Sequence, residues 1–229
     1  MIAAGTDRLD WQKIDTVLLD MDGTLLDLHF DSFFWLHHLP RRYSQLHGVA
    51  EKTAIADLHQ QLKDKRGTLD WYCTDYWSRQ LDVNIVELKH EIRHLIGERP
   101  QTLAFLRRLG QINKQRILVT NAHRDSIAIK FAVTDIEPLL DNVISSHDYG
   151  YPKEEEQFWQ QLQQSIDFDP SRTLFIDDSE PVLDAAKDFG IQYLLSIETP
   201  DSQQPPTHTK HYTAISYFDQ VLDITDGQH

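Results

Sequence analysis

Thr16-Val17-Leu18-Leu19-Asp20-Met21-Asp22-Gly23-Thr24-Leu25 runs from an apolar segment straight into an acidic turn. Val17, Leu18 and Leu19 show no polar alternation, the pattern of a parallel strand buried on both faces. Gly23 permits the tight turn that follows. Asp20 and Asp22, two positions apart, therefore fall at the carboxyl end of a strand. In an open α/β sheet, that edge is where ligands bind. An Asp-x-Asp turn also occurs as a plain solvated loop, so its meaning depends on the rest of the chain.

Downstream, residues 31–96 carry only helical signals. Phe33, Phe34, Leu36 and Leu39 precede Pro40, and Ala54, Ile55, Leu58 and Leu62 recur at helical spacing. Trp71, Tyr72, Tyr76 and Trp77 follow a Gly67-Thr68 break. Ile85, Leu88, Ile92, Leu95 and Ile96 form a further amphipathic stretch closed by Gly97. From Pro100 strands and helices alternate. The pattern predicts a helix opened by Pro100 and ended by Gly110, then a strand over 116–120 and a helix over 124–133. A strand over 142–145, a helix over 153–165 and a strand over 173–176 come next. A helix over 181–189 and a strand over 191–197 complete the series. Such alternation implies a parallel sheet with helices on both faces. The expected fold is a Rossmann-like α/β core, residues 1–28 and 98–229, with an all-helical insertion, residues 29–97, after the first strand.

Composition bounds the task. The chain has 229 residues, 40% hydrophobic and 25% charged, which suits a packed core. Its net charge of −14 argues against a nucleic-acid polymer as partner. A small phosphorylated metabolite is still compatible, because it needs only one local positive site. Cys73 is the only cysteine, so no internal disulfide forms and a reducing cytoplasm is expected. Met1 to Lys13 lacks the apolar core of a signal peptide, and no apolar run reaches the roughly 20 residues of a membrane span. Gln203-Gln204-Pro205-Pro206 reads as a loop. No repeat is present, and neither charge nor pattern specifies an oligomeric state.

Three further segments place chemistry-bearing residues at strand ends or in the loops beyond them. Ile117-Leu118-Val119-Thr120-Asn121-Ala122-His123 ends a strand in a hydroxyl and an amide, both able to donate to an anionic oxygen. Most threonines there are structural, and with 12 histidines in the chain His123 reads first as a surface residue. Gly150-Tyr151-Pro152-Lys153-Glu154 sets a lysine after a proline. Leu174-Phe175-Ile176-Asp177-Asp178-Ser179 again stops a strand in paired acids, which suit a hard cation such as Mg²⁺.

Together, in this order, the four segments resemble motifs I to IV of the haloacid dehalogenase (HAD) superfamily of phosphatases. That resemblance implies an HAD-like core whose inserted helices form a type 1 cap over the sheet edge. It makes Asp20 the nucleophile, passing through an aspartyl-phosphate, and Asp22 the general acid/base. Thr120, Asn121 and Lys153 then bind phosphate, Lys153 also neutralising Asp20. Mg²⁺ would be held by Asp20, the Asp22 carbonyl and Asp178. Asp177 stands where the family more often has glycine, and is expected to be supporting or outward-facing. Asp22 argues against a dehalogenase, which needs no acid for a leaving alkoxide.

A narrower resemblance joins the same motifs to Trp71-Tyr72-Cys73-Thr74-Asp75-Tyr76-Trp77 and points to the bacterial HAD-type GMP/IMP 5′-nucleotidases. It implies hydrolysis of purine nucleoside 5′-monophosphates. The cap aromatics can stack on a base or simply form the cap core. Other expectations remain: a phosphatase for a sugar phosphate or phosphoglycolate, a phosphotransferase or mutase, and a binding protein without turnover.

Overall fold

The computed structural model describes residues 9–207, 209 and 211–223. Residues 1–8, most of the segment read for a signal peptide, and 224–229, the end of the expected core, lie outside the described residues. Within them, β1 (Thr16–Leu19), β2 (Gln115–Thr120), β3 (Asn142–Ser145), β4 (Thr173–Ile176), β5 (Tyr193–Ile197) and β6 (Ala214–Ile215) form one sheet. Its order is β3-β2-β1-β4-β5-β6, with every pair parallel. This is the Rossmann-like order, and the direction of winding reverses between β1 and β4.

Alternation along β1 builds two layers. Val17 and Leu19 pack with Phe105, Leu106 and Leu109 of α7 (Thr102–Gln111) on one face. Leu18 turns to the other face, toward Phe158, Trp159 and Leu162 of α9 (Glu156–Ser165) and Val182 and Leu183 of α10 (Glu180–Phe189). All four β1 residues are buried, as a central parallel strand requires. α8 (Arg124–Phe131) follows β2.

Between β1 and α7 the chain forms α1 (His29–Phe33), a π-helical turn Phe34–His38, α2 (Leu39–His47), α3 (Glu51–Lys65), α4 (Leu69–Tyr72), α5 (Thr74–Leu81) and α6 (Ile85–Glu91). These helices bury an apolar cluster of their own, around Phe30, Phe34, Leu58, Trp77 and Ile85. The two connections to the sheet run side by side: Leu26 bridges Glu98, and Asp27 N–H donates to the Gly97 carbonyl at 3.0 Å.

Several boundaries depart from expectation. Pro40 does not interrupt the first helical stretch: it follows the π-helical turn directly, and the backbone stays helical from His29 through His47. Gly110 lies inside α7. A Cβ there would meet Arg116 Nη1 at 2.5 Å, so glycine admits the guanidinium, and Asn113 makes the left-handed turn (φ 56°). Lys153 does not begin a helix; α9 starts at Glu156. β6, two residues long, is too short to show a period.

Candidate active site

β1, β2 and β4 present their carboxyl ends side by side. Leu19 pairs with Leu118 and with Ile176, so the next residues, Asp20, Val119 and Asp177, lie level across three strands. Lys153 closes this row. Its Nζ donates to Asp20 Oδ1 at 2.5 Å, Asp177 Oδ2 at 2.6 Å and the Val119 carbonyl at 3.1 Å. Its backbone is tied at both ends: the N–H donates to Asn121 Oδ1 at 2.9 Å, and the carbonyl accepts from Trp159 Nε1 at 2.8 Å. These bonds, after Pro152, hold Lys153 in a turn rather than in the first turn of α9. Its side chain is 2% exposed.

Asp177 is therefore not outward-facing. It is 1% exposed, paired with Lys153, and accepts from the Ser179 N–H at 2.8 Å. Asp178 lies beside Gly23, whose φ is +86° and whose added Cβ would sit 2.7 Å from Asp178 Oδ2. Only glycine fits between the two acidic turns. Asp20, Asp177 and Asp178 each bring a carboxylate oxygen within 4.8 Å of the others. The donor set is all oxygen, which suits a hard divalent cation. Burial, then repulsion from Asp177 and Asp20, raises the Asp178 carboxyl well above its usual range. A cation there would relieve that repulsion.

Asp22 leads to residues the sequence reading missed. Lys130 Nζ on α8 lies 2.6 Å from Asp22 Oδ1 and 2.6 Å from Asp31 Oδ2. Lys89 Nζ on α6 donates to Asp31 Oδ1 at 2.7 Å. A row of charges thus runs from Asp22, through a core helix, into the inserted helices, with both lysines 2% exposed. Burial opposes ionisation of Asp31, but Lys130 and Lys89 outweigh it and hold the carboxyl well below its usual range. One signal was available: Lys130 interrupts the apolar run Ile127-Ala128-Ile129-Lys130-Phe131-Ala132-Val133. Lys130→Met is expected to lower kcat by about 10²-fold, the scale of general acid–base assistance. An unchanged kcat in steady-state phosphate release would show that the Lys130 contact does not serve Asp22.

Asp20 and Asp22 are both raised to about 6. Burial is the main cause for each; Lys153 opposes it at Asp20, and Lys130 opposes it at Asp22. An unfolded carboxyl titrates near 3.8, so the native state holds these protons more tightly. Their contribution to stability is full below about 3.8 and is lost as pH rises past about 6. Metal-free protein is therefore expected to melt lower at pH 7.5 than at pH 5. Millimolar Mg²⁺ is expected to raise the melting temperature at pH 7.5 and do less at pH 5. A melting temperature indifferent to Mg²⁺ at both pH values would count against a metal at these carboxylates.

The remaining predicted residues fall nearby. Thr120, 2% exposed, accepts the Ala122 N–H at 3.1 Å through its hydroxyl oxygen. Asn121 Nδ2 donates to Glu154 Oε2 at 2.9 Å, and Tyr72 Oη donates to Glu154 Oε1 at 3.0 Å. His123 contacts Thr74 Oγ1 at 2.8 Å through Nδ1 and lies outside the cavity lining.

A cavity of about 720 Å³ opens between the sheet edge and the inserted helices. Asp20, Asp22, Thr120, Asn121, Lys153 and Asp178 line its floor; Trp71, Tyr72, Lys63 and Arg66 line the facing wall. Of the four aromatics in this segment, Trp77 is fully buried in the cluster of the inserted helices and Tyr76 packs against it, whereas Trp71 and Tyr72 reach the cavity. The volume suits a small-molecule ligand, and carboxylates, a hydroxyl, an amide and lysines all border it.

Residues 14–190 match the family model for haloacid dehalogenase-like hydrolases. The chain belongs to that family, as an enzyme of its phosphatase class. Two curated relatives, each called GMP/IMP nucleotidase YrfG, come from Escherichia coli K12 and Shigella flexneri. Each is 46% identical over 195 residues, covering 85% of this chain and 88% of the relative. Among solved structures, the HAD phosphatase from Thermococcus onnurineus superposes with a TM-score of 0.74 at 20% identity, over 88% of this chain and 93% of that one. At that identity the likeness speaks for the fold alone. No helix among the described residues is long and apolar enough to cross a membrane.

Proposed function

We propose that the protein hydrolyses purine nucleoside 5′-monophosphates, GMP and IMP, to nucleoside and phosphate, with Mg²⁺ as cofactor. The observation that carries this reading is the 46% identity to GMP/IMP nucleotidases over 195 residues, a match too long to lie in the α/β core alone. In this account residues 29–97 act as a cap, and Trp71 and Tyr72 offer aromatic faces to the base.

The Asp20 carboxylate attacks phosphorus, and Asp22 gives its proton to the departing O5′ of the nucleoside. Asp22 then takes a proton from water, which attacks phosphorus of the aspartyl-phosphate, releases phosphate and restores Asp20. A buried carboxyl raised to about 6 suits this exchange, because it holds a proton near neutral pH and gives it up readily. Lys153 offsets the negative charge that would otherwise keep Asp20 from a phosphate. Asp20, the Asp22 carbonyl and Asp178 would hold Mg²⁺, which when bound neutralises phosphoryl charge. Thr120 and Asn121 sit at the floor to donate to phosphoryl oxygens.

Phosphate release from a panel of GMP, IMP, AMP, pyrimidine monophosphates, phosphoglycolate and sugar phosphates, with and without Mg²⁺, tests the reading. It is supported if release is metal-dependent and fastest for GMP and IMP. Faster release from a sugar phosphate or phosphoglycolate would contradict the substrate while leaving the catalytic residues in place.

A further inference from the structure

Outside the cavity, three metal-ligating side chains converge from distant parts of the chain. Cys73 sits between α4 and α5 in the inserted helices, His123 precedes α8, and His147 follows β3. One ligand atom from each lies within 4.8 Å of the other two. We propose that Cys73, His123 and His147 bind a borderline transition-metal ion of the Zn²⁺ type, joining the inserted helices to the α/β core.

Each ligand shows a feature that suits it to a metal. His147 Nε2 is buried without a hydrogen-bond partner among the described residues, although its ring also hydrogen-bonds the Asn121 backbone. A buried ring nitrogen in that state is costly, and a metal would use its lone pair. Cys73 Sγ accepts the Tyr76 N–H at 3.4 Å, which fixes the sulfur where α5 begins. His123 Nδ1 is held by the chain: it accepts the Asp125 N–H at 3.4 Å and lies 2.8 Å from Thr74 Oγ1. Asp75 Oδ2 stands 3.9 Å from Nε2, within reach as a further oxygen ligand.

The donor chemistry separates this site from the carboxylate row. One thiolate and two imidazoles select Zn²⁺ or Co²⁺, whereas an all-oxygen set selects Mg²⁺. Three protein ligands leave a position open, and binding there spans cap and core without entering the cavity. The proposal is independent of which phosphomonoester the enzyme prefers.

Co²⁺ titration of the full chain in saturating Mg²⁺ tests it. Because Cys73 is the only cysteine, a sulfur-to-cobalt charge-transfer band in the near ultraviolet has one possible source. We expect that band, visible absorption of four-coordinate Co²⁺, and displacement of both by Zn²⁺. Cys73→Ser should lose the band entirely, and His147→Ala should weaken Co²⁺ binding at least about 10-fold. Circular dichroism reports whether each variant is folded, and Cys73→Ser decides alone if His147→Ala is not. No charge-transfer band in the parent protein, or Co²⁺ binding unchanged in folded His147→Ala and His123→Ala, would overturn the site.

Discussion

Asp20→Asn is expected to abolish phosphate release from every phosphomonoester, by on the order of 10⁴-fold or more, while the protein still folds. The amide cannot attack phosphorus, so the two-step route has no first step. The fold should survive because asparagine has the same shape and its oxygen can still accept from Lys153, now 2.5 Å from Asp20 Oδ1. Removing one of three clustered carboxylates should even ease repulsion at Asp178. Near-normal turnover, measured with unfolding curves on the same preparation, would remove Asp20 from the nucleophile's role.

Lys153→Met should be the most damaging change to stability at the site. It leaves Asp20 and Asp177 buried against each other with no cation between them. Breaking a buried pair in this way costs about 3–5 kcal/mol. Methionine fills much of the volume and still reaches the Phe175 ring, over which Lys153 Nζ lies at 5.6 Å, so the loss should come from charge rather than a void. The two explanations separate by pH. Without Lys153 the carboxyls of Asp20 and Asp177 rise further and take up protons as pH falls. The stability gap to the parent protein should therefore be widest near pH 8 and shrink toward pH 5. A gap of constant size in urea unfolding at both pH values would point to packing instead. Adding Asp177→Asn should recover part of the loss at pH 8.

The strands that carry the site were legible because burial on both faces leaves an unbroken apolar run, and each run ends in polar residues. Val17 to Asp20, Ile117 to Thr120 and Leu174 to Asp177 all show it. Strand–helix alternation then fixes a parallel sheet with helices on both faces. Less was visible where a residue's partner is remote in sequence. The inward turn of Asp177 depends on Lys153, and the rows at Asp22 depend on Lys130, Asp31 and Lys89, which sequence alone treats as surface charges. Gly110 looked like a helix end but lies inside α7, with the Arg116 guanidinium, remote in sequence, packed beside it. The aromatic segment could not be divided beforehand, because Trp71 and Trp77 differ only in which way α4 and α5 turn them.

Borohydride trapping of enzyme quenched during turnover of GMP with Mg²⁺ tests the central claim most directly. Reduction converts an aspartyl-phosphate to homoserine, which peptide mass spectrometry locates in the chain. Homoserine is expected at position 20, dependent on GMP and absent from Asp20→Asn. Homoserine at another aspartate, or none while GMP is being hydrolysed, would contradict it.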